Sequence, residues 1–157
     1  MPAEIPVRRM RASDFDRILE IERLSFASEA YDRNLFAEFH RKCGDLFLVV
    51  EYAGRVCGYM ITCTRGSVLL ARAEVISVAV DPAMRGRGAA SALMESTLRR
   101  LRLRRIGRLT LMVRVTNRAA LAFYEKYGFR KLRTVREYYE DRGDGWLMVR
   151  RENPRDR

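Results

Sequence analysis

The sequence predicts an α/β (α+β) fold. About seven strands form a mixed central sheet that carries about four helices, in the order β-α-α-β-β-β-α-β-α-β-β. Three observations predict it. Apolar runs rich in β-branched residues fill residues 45–51, 55–63, 71–80 and 109–115. Between and around them lie segments whose apolar residues recur every three or four positions. Finally, 157 residues, 48% hydrophobic and 32% charged, suit a single domain. A chain of that size buries about 70% of its unfolded surface.

Residues 5–11 are expected to open the sheet. Ser13 and Asp16 resemble a helix cap with an acidic partner three residues on. Phe15, Ile18, Leu19, Ile21 and Leu24 give the helix that follows its apolar face. A second helix is expected from Asp32 to Lys42, stopping at Gly44. Ala53-Gly54 marks a hairpin turn between the next two strands. A fourth strand ends at Val80. A third helix carries Ala90, Leu93, Met94, Leu98 and Leu101 and ends near Gly107. Asn117 caps a short fourth helix that closes at Gly128. Phe129–Tyr138 and Gly145–Arg150 are the last strands. The domain is expected over residues 1–151, with a fraying polar tail at 152–157.

Composition narrows the setting. No apolar run reaches about 18 residues, so no membrane span is expected. The N-terminus lacks the basic start and apolar core of a signal peptide. Cys43, Cys57 and Cys63 are odd in number and lack C-x-x-C spacing, which favours reduced thiols in a cytoplasmic protein. With His40 the single histidine, no metal site is expected. The net charge is +11, with Arg99, Arg100, Arg102, Arg104 and Arg105 the densest cluster. Their interleaving with Leu98, Leu101 and Leu103 reads as the solvated side of an amphipathic helix. The same charge would attract anions: a phosphorylated cofactor, an acidic peptide or ribosomal RNA.

The most telling local pattern is Val78-Ala79-Val80-Asp81-Pro82-Ala83-Met84-Arg85-Gly86-Arg87-Gly88-Ala89-Ala90. It reads as strand, glycine loop and helix start. The first N–H groups of a helix have no partners within it, and the helix dipole adds partial positive charge. Glycine permits positive φ and close approach, and arginine suits phosphate. A pyrophosphate is the natural guest. A Walker A loop is excluded, since no lysine lies here. The dinucleotide fingerprint fails at Ser91 and lacks its downstream acid.

About 30 residues on stands a second motif, Asn117-Arg118-Ala119-Ala120-Leu121-Ala122-Phe123-Tyr124-Glu125-Lys126-Tyr127-Gly128-Phe129. Together the two motifs resemble the GCN5-related N-acetyltransferase (GNAT) superfamily across nearly the whole chain. The resemblance implies a GNAT fold whose sheet splays to admit acetyl-CoA as co-substrate, with no metal. It implies that Val78, Ala79 and Val80 meet the pantetheine arm. Arg85, Gly86, Arg87, Gly88, Ala89 and Ala90 would hold the pyrophosphate. Asn117, Ala120 and Tyr124 would complete the cofactor site, with Tyr124 protonating the departing thiolate.

A narrower resemblance is to the ribosomal-protein alanine and protein N-terminal acetyltransferases. Ser28-Glu29-Ala30-Tyr31 is similar to their substrate loop, and Arg136-Glu137-Tyr138-Tyr139-Glu140-Asp141 to the segment before their last strand. That implies Glu29, Tyr31, Tyr138 and Tyr139 around a protein or peptide N-terminus. Association with the ribosome is the further partner it suggests. Whether the enzyme is a monomer or a dimer stays open. One position departs from the pattern: Met112 stands where relatives carry a Glu or His base. Glu74 and Glu29 are the two alternatives for a base acting through water. An α-amine, with a pKa near 7.8 against 10.4 for lysine, is easier to deprotonate by about 3.5 kcal/mol. The missing base is therefore most tolerable for an N-terminal substrate. Two other readings stay open: acetylation of a small amine, and a non-catalytic acyl-CoA-binding module.

Overall fold

The structure, a computed structural model, describes residues 5–67 and 71–152. Seven strands and four α-helices follow the expected order: β1 (Val7–Arg9), α1 (Phe15–Phe26), α2 (Arg33–Cys43), β2 (Phe47–Tyr52), β3 (Arg55–Arg65), β4 (Arg72–Val80), α3 (Ala89–Leu103), β5 (Arg108–Arg114), α4 (Arg118–Lys126), β6 (Arg130–Val135) and β7 (Gly145–Arg151). Backbone hydrogen bonds order the strands β1-β2-β3-β4-β5-β7-β6. The chain divides into two compact units. Met1–Cys63 with Ile76–Arg100 form the first; Thr64–Val75 with Leu101–Arg157 form the second.

In the first unit, β1 pairs antiparallel with β2, and β2 with β3. A core on one sheet face joins Phe47, Val49, Tyr59 and Ile61 to Ile18 and Ile21 of α1 and Phe36 of α2. Gly58 is required beside β4, because a Cβ there would lie 2.9 Å from the carbonyl oxygen of Ala79. In the second unit, β4 pairs in parallel with β5 at Ala73↔Leu109 and Glu74↔Thr110. β5 then pairs antiparallel with β7, and β7 with β6.

Several boundaries differ from expectation. A short 3-10 turn, Ala12–Asp14, precedes α1, so Ser13 does not cap it. Asp14 turns inward instead, accepting from Arg8 at 2.8 Å and from the Arg11 N–H. Asp32 is the cap of α2, accepting from Leu35 N at 2.9 Å. α2 stops at Gly44 as expected, but Gly44 stays right-handed and begins a 3-10 turn. β6 ends at Val135, because Glu137 takes φ +50° and its N–H is captured by Asp144. Tyr138 and Tyr139 therefore lie in a loop, not in a strand. Glu152 is anchored rather than frayed: its N–H donates to Gly107 and its carboxylate pairs with Arg150. The rest of the expected tail, residues 153–157, lies outside the described residues.

The cysteine expectation is corrected. Cys43 at the end of α2 and Cys63 in β3 form a disulfide, their Cα atoms 4.9 Å apart. Only Cys57 is a free thiol, buried in β3. The fold brings together two cysteines 20 residues apart, whose spacing carries no signal.

Candidate active site

The first unit carries the anion loop. β4 ends at Val80, and Asp81 starts the corner by accepting from Ala83 N at 3.0 Å. Arg17 of α1 grips the same carboxylate at 2.5 Å and donates to the carbonyl of Val56, tying helix, strand and corner together. Arg17 holds the Asp81 carboxyl below its ordinary range, helped by the Ala83 N–H. Gly86 and Gly88 take φ +80° and +84°, a region that L side chains rarely enter. Arg85 to Gly88 are exposed, and Ala89 at the start of α3 is buried. Ala92 N donates to the Gly88 carbonyl, so the helical hydrogen bonds begin there. The N–H groups of Ala89, Ala90 and Ser91 precede that bond, and helix geometry gives them no partner within the helix. Arg87 stacks over Tyr52 and donates to its hydroxyl at 3.0 Å. An exposed loop of left-handed glycines, two arginines and open helical N–H groups fits a pyrophosphate. Val78 is half-buried on β4, between Ser77 and the buried Ala79 and Val80.

The second unit carries the tyrosines. Asn117 caps α4 by accepting from Ala120 N at 3.1 Å, and Gly128 closes the helix with φ +88°. Tyr124 is buried on the inner face of α4, edge-on to Phe129 and Phe123. Burial pushes its phenol up to about 12, and the charge of Tyr139 pushes the same way. Tyr139 and Tyr138 meet edge to face, their ring centres 4.9 Å apart. Arg114 holds this loop, stacking over Tyr139 at 4.1 Å and reaching both oxygens of Asp141. Burial and the nearby charge of Glu74 push the Tyr138 phenol up. Tyr124 thus feels Tyr139, and Tyr138 feels Glu74.

Met112 lies half-buried in β5, opposite Leu147. Its methyl group would be 2.7 Å from a Cβ on Gly145, where the ring of Tyr139 would also be 3.4 Å away. An apolar side chain thus fills the space beside the tyrosine loop. Glu74 is about one-third exposed and pairs with Arg65 at 3.1 Å. Glu29 ends the 3-10 turn Ala27–Glu29 after α1. Tyr31 packs its ring on Phe36 and Phe39. Among the described residues no cluster of His, Cys, Asp and Glu could hold a metal, and no helix is long and apolar enough to cross a membrane.

Arg17, Arg114 and Glu22 are absent from the sequence-derived set. Glu22 is 1% exposed and accepts from Tyr31 N. A signal for it exists: it stands four residues after Ile18, on the apolar stripe of α1.

A family model described as "Acetyltransferase (GNAT) family" matches residues 14–129. An N-alpha-acetyltransferase from Sulfurisphaera tokodaii is 30% identical over 155 residues, covering 93% of this chain and 92% of that protein. Ard1 from Thermoplasma volcanium has a similar structure, with a TM-score of 0.89, 29% identity and coverage of 96% and 99% of the two chains. The ribosomal-protein-S18-alanine N-acetyltransferase from Escherichia coli is similar at a TM-score of 0.81, 26% identity and coverage of 94% and 93%.

Proposed function

The chain belongs to the GNAT acetyltransferase family, and from that premise we propose that it transfers acetyl from acetyl-CoA to the N-terminal α-amine of a protein or peptide. The observation that carries this reading is the company Tyr124 keeps. A buried, protonated phenol feels the charge of Tyr139, whose ring packs on Tyr138, and Tyr138 in turn feels Glu74. The relatives named for α-amine and ribosomal-protein alanine acetylation support the substrate class.

The reaction is a direct attack in a ternary complex. The Arg85–Ala90 loop holds the pyrophosphate, Val78 and Val80 offer backbone groups to the pantetheine arm, and Asn117 and Ala120 border it. Glu29 and Tyr31, and Tyr138 and Tyr139, are the residues assigned to receive the N-terminus. The new N–C bond forms as the C–S bond breaks. Glu74 accepts the ammonium proton through water, and Glu29 is the second acceptor. Tyr124 gives its proton to the departing sulfur. A phenol near 12 is a reluctant donor, but burial that disfavours phenolate disfavours a thiolate equally. Glu74 pairs with Arg65 at 3.1 Å, and an α-amine needs only a modest base. The proposal sets this chemistry in the cytoplasm, with the ribosome as the place where new N-termini appear.

A panel of peptides with free and blocked N-termini tests the reading. CoA release is expected with free α-amines and not with blocked ones bearing lysine. Turnover of small amines alone would favour a small-molecule enzyme. Acetyl-CoA binding without turnover on any amine would favour a binding module.

A further inference from the structure

A buried carboxylate lies beneath the substrate loop, and the reaction as written does not use it. Glu22, on the inner face of α1, is 1% exposed. One oxygen accepts from the backbone N–H of Tyr31 at 3.0 Å. The other accepts from the hydroxyl of Tyr59, a side chain with no exposed surface. The Tyr59 hydroxyl also lies 3.2 Å from Ser77 Oγ on β4, next to Val78. A continuous polar chain thus runs from the loop backbone, through the core, to the strand expected to hold the pantetheine.

Core stability gives no reason for a carboxylate here. Ile18 and Ile21 share its helix, Tyr59 packs on Phe36 and Phe47, and all of these apolar residues are fully buried. Burying a carboxylate among them is unfavourable. Burial in fact pushes the carboxyl up to about 7, with the Tyr31 N–H pulling it back. What the carboxylate supplies is two acceptors in fixed directions. The loop needs such a fixing point: α1 ends at Phe26, and the φ of +48° at Ala27 turns the chain sharply. Beyond that turn, the Tyr31 ring is set by Phe36 and Phe39 and its backbone by Glu22.

We propose that Glu22 is a positioning residue that, with Tyr59 and Ser77, sets the substrate loop Ala27–Tyr31 relative to β4. The proposal rests on the reading of that loop as the peptide-binding element. Two variants of the full chain test it. Glu22→Met keeps the volume and removes both acceptors; Tyr59→Phe removes one hydroxyl. In Glu22→Met the KM for a free-N-terminus peptide rises about tenfold, the scale of one hydrogen bond to a charged group. The KM for acetyl-CoA stays within twofold, and Tm falls modestly, because the Tyr59 hydroxyl and the Tyr31 N–H lose their acceptor. Tyr59→Phe moves the peptide KM in the same direction by less. Glu22→Gln, which restores one acceptor, lies between Glu22→Met and wild type. Hydrogen exchange at the Tyr31 amide, measured on the protein alone, quickens in Glu22→Met. A peptide KM unmoved in both Glu22→Met and Tyr59→Phe overturns the proposal, as does a parallel rise in both KM values. An unchanged Tyr31 exchange rate also overturns it. If the wild type acetylates no peptide, the functional reading fails, and the exchange measurement still decides the tether.

Discussion

Two pairs of glycines differ in what they are for. Gly86 and Gly88, in the anion loop, stand at φ +80° and +84° with room around them. A Cβ on Gly86 would meet nothing within 4 Å. Gly143 and Gly145, in the tyrosine region, are crowded instead. A Cβ would lie 2.6 Å from Arg114 Nη1 at Gly143 and 2.7 Å from the Met112 methyl at Gly145. The first pair is needed for conformation, the second for space. The anion loop presents backbone N–H groups, so it depends on φ and ψ. The tyrosine region works through side chains in contact, so it depends on individual atoms.

The largest expected effect is at the atom-dependent end. Tyr124→Phe removes one oxygen and is expected to lower kcat about 100-fold or more, the usual scale for losing an acid. The KM for acetyl-CoA stays close to wild type. Single-turnover kinetics check this where release of product is slow. An unchanged chemical step would remove Tyr124 from the acid role. Because the phenol is pushed up to about 12, its loss of a proton brings no alkaline decline in kcat below about pH 11.

Next comes the conformation-dependent end. Gly86→Ala is expected to raise the KM for acetyl-CoA about tenfold and leave kcat unchanged. A left-handed residue bearing a Cβ costs about 1–2 kcal/mol, and 1.4 kcal/mol is tenfold. Asn tolerates this conformation, so Gly86→Asn should recover most of the affinity. If Asn and Ala behave alike, the loop's need is for space, and the contrast with Gly145 collapses. At Gly145 the test is reversed. Gly145→Ala should destabilise the fold by about 1 kcal/mol, since the Met112 methyl can give way. Met112→Ala in the same chain should relieve most of that loss. Denaturant unfolding of the two single variants and the double variant measures the coupling.

The two ends were also unequally readable. The anion loop is local: strand, Asp-Pro, glycines and helix start follow within 13 residues, and their φ values follow from residue type. The α4 helix is local too, with Asn117 and Gly128 marking its ends. The tyrosine loop was located, but not its conformation, because Glu137 at positive φ breaks a pattern that otherwise reads as strand. The Cys43–Cys63 pairing and the Glu22–Tyr59–Ser77 chain join segments far apart in sequence. Periodicity places Glu22 on an apolar face, but it cannot say which backbone N–H it meets. Arg17 is hidden for the same reason, since its partner Asp81 lies 64 residues away.

That last pair carries the smallest effect. Asp81→Asn keeps an oxygen for Ala83 N and removes the charge that Arg17 grips. The direction with pH can be worked out. Arg17 lowers the folded-state pKa of Asp81 below its ordinary value of 3.8. The unfolded chain therefore takes up the proton first as pH falls. The pair's contribution is fully present above the unfolded value and is lost as pH falls through the folded one. At neutral pH the variant should be less stable by roughly 0.5–1 kcal/mol, the scale of one ion pair. The gap should close once pH has fallen through the folded value. Since the corner feeds a loop that works by conformation, the acetyl-CoA KM should rise modestly with kcat unchanged. A fall in kcat instead would mean that the corner also positions reacting atoms, and that the two ends are less separate than their glycines suggest.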